Sequence, residues 1–536
     1  MDTLTISTLW SIHTKDNPWS TITWSAHLID FYMEWERRRL LIDFGMLTGS
    51  EITKALNYDL PIDPTTNKQL DPQSIDTVIA THTHADHIGR IPMLVGRWFN
   101  KTIRMTEQSW SVFKPIMEDS LNVQEIEYKK LYERAKPMRK NYRKNIANPH
   151  LMWWVIDKKQ HHALMKWLTE NLLALQKPFF TAEELHDTTK LIKTMPYSTS
   201  TSQHIFNLFS DTNAIQGQFI NAGHIFGSSM ALITIKHPTK EKVFSILRWG
   251  DMGRMNNRIY GEAPTLQGIY DNPIDLLAIE TTYWGRDPHP DIHTQTQKMF
   301  TFINEIFQKW WSTVIPCFTQ TRFQEMSLYL KQAIKDKKLP HTTKIIMDSP
   351  LALEIGKQMN MYHEDDKKDG HIIRSSWKDT LKYFLEGWWD NLIFLVSWGV
   401  LQWWTVMKLI HYIDQSNSQR LIDFNLDQAE KSWIILSWFL PEWSLWDKIT
   451  KNPQLYNFLK VIFSAHTDHP WIVDFVSNTN WQSGVKLSPN WSVYLMHWEI
   501  GGMQAVKESL LKTKVLPDGR QIIIPSNNKS SYQFTL

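Results

Sequence analysis

The sequence predicts an α/β protein: one αββα sandwich interrupted by a second, parallel β/α domain. Three observations carry that prediction. Six polar motifs, around residues 82–87, 224, 251, 280, 466 and 497, each stand at the C-terminal end of an apolar run of strand character. In α/β sheets ligand sites collect at that edge. From about residue 290, helical and strand patterns alternate, as a parallel sheet requires. The polar motifs then resume at His466 and His497, so the alternating segment is an insertion within a single site-bearing domain.

The elements follow in order. Residues 3–9, 20–30 and 39–43 are rich in β-formers separated by turn residues, which reads as hairpins. Leu40-Leu41-Ile42-Asp43 is an apolar strand ending in a carboxylate. A strand at 77–80 leads into the 82–87 loop, and residues 106–195 read as mostly helical. Strand character returns at 218–222, 230–236, 243–247 and 276–279. The insertion reads as helix 293–309, strand 312–318, helix 320–336, strand 343–347 and helix 350–359, with strands at 392–397 and 433–437. Strands at 460–463 and 492–495 precede the last two histidine motifs. The expected boundaries are 1–288 for the first part of the sandwich, 289–455 for the insertion and 456–536 for the return.

The densest chemistry is His82-Thr83-His84-Ala85-Asp86-His87. In extended chain His82 and His84 project to the same side, while Asp86 and His87 open a helix. That arrangement suits two adjacent metal ions, two imidazoles for one and a carboxylate with an imidazole for the other. Zinc accepts such nitrogen and oxygen donors, and catalytic zinc keeps a position open for water. Chance placement among 21 histidines does not account for four ligand-type residues at this spacing on a strand end.

Composition sets outer bounds. The length of 536 residues exceeds one ordinary core. A net charge of +3 names no partner, and the single cysteine, Cys317, excludes a disulfide framework and a multi-thiolate site. No 18-residue apolar run and no charged-then-apolar leader appears, so a soluble cytoplasmic protein with no membrane partner is expected. The chain holds 27 Trp but only 20 Gly, about half the usual glycine share of roughly 7%. Several Trp stand where turns favour glycine, as in Asn17-Pro18-Trp19-Ser20, Trp403-Trp404 and Pro441-Glu442-Trp443-Ser444-Leu445-Trp446. Some bacteria read UGA as glycine, and a default translation prints tryptophan. The sequence is therefore expected to show Trp at sites that are glycine in the natural protein; the alternative is a genuine tryptophan surface for stacking bases.

Taken together, these motifs make the chain resemble the β-CASP branch of metallo-β-lactamase-fold nucleases, which includes the pre-mRNA 3′-end endonuclease and bacterial and archaeal ribonucleases. The resemblance runs through Asp43, 82–87, Gly223-His224, Gly250-Asp251, Glu280-Thr281-Thr282-Tyr283, Arg286 and His289. It continues through Pro316-Cys317-Phe318, Arg322, Gln324, Glu325, Asp348-Ser349-Pro350-Leu351-Ala352, His466 and His497. It covers nearly the whole chain except about 123–176. The departures are mainly Trp98, Trp398, Trp403, Trp404, Trp443, Trp446 and Trp498, where the family tends to carry glycine.

The resemblance implies a zinc held by His82, His84 and His224, a second held by Asp86, His87 and His497, and Asp251 bridging them, with manganese as a substitute metal. Asp43 would orient ligands or nucleophile from behind. Asp86, Asp43, Glu280 and His466 are the expected catalytic set. In two-metal sites, ions roughly 3.5–4 Å apart clamp a phosphate and activate water, giving 5′-phosphate and 3′-hydroxyl products. His466 is the expected acid for the leaving alkoxide, with Glu280 holding the protonated ring. The last histidine, His497, favours RNA by analogy. Single-stranded RNA is thus the expected partner; the resemblance leaves room for a homodimer. A small-ester or thioester hydrolase of the same fold, or an inactive RNA-binding relative, are the competing functions.

A basic stretch at 129–144 holds eight Lys or Arg, among them Arg139, Lys140, Arg143 and Lys144. Those four are expected to track a phosphate backbone, a solvated helical face being the alternative. Pro137 is expected to kink or break a helix there.

Overall fold

In a computed structural model of the chain, the described residues are 3–9, 21–22, 25–33, 36–47, 56–146, 177–236, 243–254, 259–260, 266–282, 289–309, 312–361, 371–375, 380, 391–397, 433–436, 457–460, 466, 472, 487–496, 498–512, 521–524 and 531–535. Two seven-stranded sheets face one another. The first runs, edge to edge, Ser531–Thr535, Thr3–Thr8, His27–Met33, Glu36–Ile42, Thr77–Ile79, Thr102–Thr106, Ile192–Met195. Its first four strands are antiparallel and the rest parallel. The second runs Phe206–Asn207, Ile215–Asn221, Ser229–Lys236, Val243–Trp249, Ile274–Glu280, Leu487–Met496, Gln521–Ile523, again antiparallel and then parallel.

The side-chain period of two explains why these strands read as unbroken apolar runs. Leu40, Ile42, Ile29, Phe31 and Ile79 enter the core between the sheets, where Ala231, Ile233, Leu276, Ala278, Tyr494 and Met496 meet them. Their neighbours Leu41, Leu28 and Val78 point outward onto helices, packing with Phe113, Met117 and Leu185. On the far side Leu232, Leu277, Val493 and Leu495 pack with Met503 and Leu510 of the helix Ile500–Lys512. Helices thus cover both outer faces, and the architecture is the αββα sandwich of the metallo-β-lactamase fold with mixed α and β content.

The expected β/α alternation is present. Strands Ile372–Arg374, Lys344–Asp348, Leu392–Ser397, Thr313–Cys317, Trp433–Leu436 and Asn457–Lys460 form one all-parallel sheet. Helices Ile292–Gln308, Arg322–Lys335 and Pro350–Gln358 connect it, and one core joins Met299, Ile303, Phe323, Leu330, Ile345 and Leu395.

One expectation needs correction. Of the kink or break expected at Pro137, the break is absent: the helix Glu107–Ile146 runs on through it. A proline inside a helix removes one backbone hydrogen bond and crowds one carbonyl; turns on either side supply continuity, so the loss is local and the helix does not end. The strand expected at 460–463 is described over Asn457–Lys460; residues 461–463 lie outside the described residues.

Position 98 bears on the Trp-for-Gly expectation. The helix Ile91–Gly96 ends with Phe99 N donating to Leu94 O (3.0 Å) and Trp98 N donating to Val95 O (3.1 Å). That pair of bonds is a Schellman closure, whose C′ residue is left-handed and usually glycine. Trp98 holds φ at 78° there and is 75% exposed. A bulky residue gains no burial at that exposure and bears the left-handed strain, about 1 kcal/mol. Trp98→Gly is therefore expected to raise unfolding stability by about 1 kcal/mol, read from the denaturant midpoint. An unchanged or lowered midpoint contradicts it; tryptophan at 98 in peptide mass spectrometry of the natural protein would instead overturn the Trp-for-Gly expectation at this position. Residues 19, 398, 403, 404, 443 and 446 lie outside the described residues.

Candidate metal centre

The site begins where the strand Glu36–Ile42 ends. Asp43 is fully buried with φ at 58°. Its Oδ1 accepts from Thr81 N (2.8 Å). Its Oδ2 accepts from Ser25 Oγ (2.9 Å), Thr81 Oγ1 (2.9 Å) and His87 Nδ1 (2.8 Å). Charge-assisted bonds of this kind contribute about 1.5–3 kcal/mol each, enough to hold a left-handed residue that costs roughly 1–3 kcal/mol.

The adjacent parallel strand, Thr77–Ile79, delivers the 82–87 loop beside Asp43. His84 caps the helix Ala85–Ile88. The loop is fastened to the strand end by Phe44 N to His87 O (2.7 Å) and Met46 N to Ala85 O (2.7 Å). A Cβ on Gly45 would lie 1.7 Å from the Asp86 carbonyl oxygen, so only glycine lets the two segments approach. Beneath the loop Arg90 is wholly buried, with its guanidinium 4.4 Å from the Phe44 ring centroid. Burial holds its pKa down at about 9.

Four donor groups then converge. His82, His84, His224 and Asp251 offer ligand atoms that all lie within 4.8 Å of one another. His82 Nε2 is 3.1 Å from His84 Nδ1, and His224 Nε2 is 3.2 Å from the same atom. Asp251 Oδ2 is 3.6 Å from His82 Nε2 and 3.5 Å from His224 Nε2. Tetrahedral zinc with bonds of about 2.0–2.1 Å sets its ligands about 3.3 Å apart, so these spacings fit one metal ion at the centre of the four. Burial, above all, pushes the His82 pKa well down and that of His84 to about 4, which keeps their lone pairs available. Thr81 Oγ1, having given its proton to Asp43, accepts from His82 Nδ1 (3.1 Å) and turns Nε2 toward the cluster.

The other carboxylate oxygen, Asp251 Oδ1, lies 3.1 Å from His87 Nε2. Burial opposes charge on His87, but Asp251 and Asp43 outweigh it and raise its pKa well above the usual value. Asp86 stands in the first turn of the same short helix; its charge acts on both His84 and His466.

A second group meets the first at Asp251. Glu280, at the end of the strand Ile274–Glu280, is buried and anchored by Met252 N (2.8 Å to Oε1) and Thr282 N (3.0 Å to Oε2). His466 Nδ1 donates to Glu280 Oε1 at 2.9 Å, and His466 Nε2 faces Asp251 Oδ2 at 3.9 Å. Burial works against protonation of His466, yet Glu280 first, then Asp251 and Asp86, raise its pKa to about 9. Its side chain is 17% exposed, so the ring is partly open to solvent.

The structure brings together Asp43, His82, His84, His87, His224, Asp251, Glu280 and His466. His497 and Arg286 lie outside the described residues. Arg139, Lys140, Arg143 and Lys144 lie on the helix Glu107–Ile146, more than thirty residues beyond its start. At 1.5 Å per residue that is on the order of 50 Å of helix. The start is at the site: Thr106 Oγ1 and Ser109 Oγ both donate to Gly227 O (2.7 and 2.8 Å), just past His224. Further along, Val112 and Ile116 pack on Ile355 of the helix Pro350–Gln358. Sequence reasoning missed Ser25, Thr81 and Arg248, since a serine, a threonine and a strand arginine carry no spacing signal.

Fold and site define the class. Residues 31–125 match the model of the Metallo-beta-lactamase superfamily, and the chain is a metallo-β-lactamase-fold protein with a His/Asp cluster for a divalent metal. More particularly, it is similar to ribonuclease TTHA0252 of Thermus thermophilus, at 23% identity over 68% of this chain and 62% of that protein. It is also similar to cleavage and polyadenylation specificity factor subunit 3-I of Arabidopsis thaliana, at 22% identity over 93% of this chain and 61% of that protein. A third relative is the probable RNase MJ4 of Methanocaldococcus jannaschii, at 24% identity over 61% of this chain and 57% of that protein. The chain thus spans about three fifths of the length of these relatives, and the resemblance to β-CASP ribonucleases rests on them. No helix among the described residues is long and apolar enough to cross a membrane.

Proposed function

We propose that this protein is a zinc-dependent ribonuclease that hydrolyses single-stranded RNA at the Asp251-centred cluster. The observation that carries the reading is the juxtaposition of four converging metal donors with a partly exposed imidazole, bonded to Glu280, that faces the same carboxylate. Names of relatives that are ribonucleases support the substrate class.

The reading assigns His82, His84 and His224 to one metal, Asp86, His87 and His497 to a second, and Asp251 to both. Divalent metals there supply Lewis acidity, neutralising phosphate charge and lowering the pKa of water. The chain's own residues do the rest. Asp43 and Thr81 hold the ligand rings in their metal-facing orientation. Glu280 keeps the His466 proton in place, so that Nε2–H is the atom that protonates the departing 3′-oxygen. Attack by water, not by the 2′-hydroxyl, leaves a 5′-phosphate and a 3′-hydroxyl. An insertion that begins near 289 and runs through the edge strand Asn457–Lys460 of the parallel sheet, a few residues past the expected boundary, belongs to the same proposal, with a single strand of RNA passing between it and the sandwich. Manganese in place of zinc, a cytoplasmic location and a homodimer belong to the same proposal, as does contact of Arg139, Lys140, Arg143 and Lys144 with RNA remote from the cleaved bond.

The test is incubation of a 5′-labelled single-stranded RNA with the metal-loaded protein carrying glycine at 98, beside a nitrophenyl ester. Metal-dependent RNA fragments bearing 3′-hydroxyl ends are expected. Ester turnover without RNA cleavage would transfer the site to small-molecule hydrolysis.

A further inference from the structure

Arg248 lies on the strand Val243–Trp249 of the second sheet, in register with Ala231 and Ala278 on the two flanking strands. Both alanines face the layer between the sheets. Cross-strand neighbours share a face, so two small side chains leave room for a guanidinium inside the sandwich. Arg248 is 3% exposed, and its Nη2 donates to Ser25 Oγ at 3.0 Å. Ser25 is itself buried, with its backbone clamped by Asp86 O (2.8 Å) and by Gly45 N (3.0 Å). Its hydroxyl donates to Asp43 Oδ2, which accepts His87 Nδ1–H.

We propose that Arg248 is a positioning residue for the second metal position: through Ser25 and Asp43 it fixes the orientation of the His87 ring. The reasoning concerns proton direction. A guanidinium only donates. Ser25 Oγ must therefore receive that bond on a lone pair, and its one proton has a single direction left, toward Asp43. Asp43 Oδ2, charged and acceptor-only, then requires the proton of His87 to sit on Nδ1. The remaining nitrogen, Nε2, is the one 3.1 Å from Asp251 Oδ1, and it presents a lone pair to a metal bound there. Without Arg248 the Ser25 hydroxyl is free to turn, and Asp43 loses a fixed donor. The three-histidine position is less exposed to this change, because Thr81, which orients the His82 ring, is also held on Asp43 by its backbone N–H to Oδ1, a bond that does not pass through Ser25.

This inference rests on the two-metal reading. The test is a zinc titration of chelator-stripped protein against a chromophoric competitor, with circular dichroism as a check of folding. Wild type is expected to take up two equivalents. Arg248→Met and Ser25→Ala are expected to keep the first at wild-type affinity and to weaken the second 10- to 100-fold, the usual effect of losing an outer partner. Arg248→Lys, which still donates, is expected to recover part of that loss. Folded Ser25→Ala or Arg248→Met binding both equivalents as wild type does would overturn the relay, and so would equal weakening of both. A wild type that takes up one equivalent overturns the two-metal reading itself, before any variant is compared.

Discussion

His466→Ala is expected to lower kcat for RNA cleavage by 10²- to 10⁴-fold, the usual contribution of a positioned general acid, with little change in KM. The leaving group is a strongly basic alkoxide, and His466 is the titratable group whose proton is secured beside the cluster: Glu280 bonds Nδ1 and leaves Nε2–H toward Asp251. Glu280→Gln separates the charge from the hydrogen bond. Freed of the neighbour that raises it most, the imidazole's pKa falls from about 9 toward its ordinary value of about 6.5, at which about a tenth is protonated at pH 7.5. A loss of up to roughly tenfold in kcat follows for that variant. The comparison is made by single-turnover cleavage of a labelled RNA. If His466→Ala cleaves at the wild-type rate, another group carries the proton and the acid assignment is lost.

Chelation is expected to abolish cleavage altogether, and zinc to restore it. The same ion should stabilise the fold. Binding to the native state alone contributes about 2.7 kcal/mol for each site when free metal is a hundredfold above Kd, which a melting curve with and without metal resolves. Asp251→Ala should remove both effects, because its two oxygens serve the His82–His84–His224 group and His87 separately. Full cleavage in excess chelator, or a melting curve indifferent to metal, would sink the metal mechanism while leaving the fold untouched.

Much of this was legible beforehand because it is local. Strand ends at Asp43, 82–87, His224, Asp251 and Glu280 follow from apolar runs stopped by a polar residue, and the all-parallel insertion follows from alternating periods. One thing misled. Pro137 suggested a kink or a break, and the helix does not break there, since one missing hydrogen bond is outweighed by the turns around it. Trp98 worked in the other direction: composition raised the suspicion, and the left-handed Schellman position gives it a backbone reason.

The sequence by itself determined the kinds of ligand, their order along the chain and the sheet edge each belongs to, because those depend on covalent neighbours and a side-chain period of two. Only the tertiary structure decided which residues meet. Glu280 and His466 are 186 residues apart, and Arg248 reaches Ser25 from the opposite sheet across 223. Such contacts depend on strand register and on how two buried faces pack. One residue of slip would turn Arg248 from the inter-sheet layer toward the outer helices, and no pattern in the chain itself announces which of those two faces it will occupy.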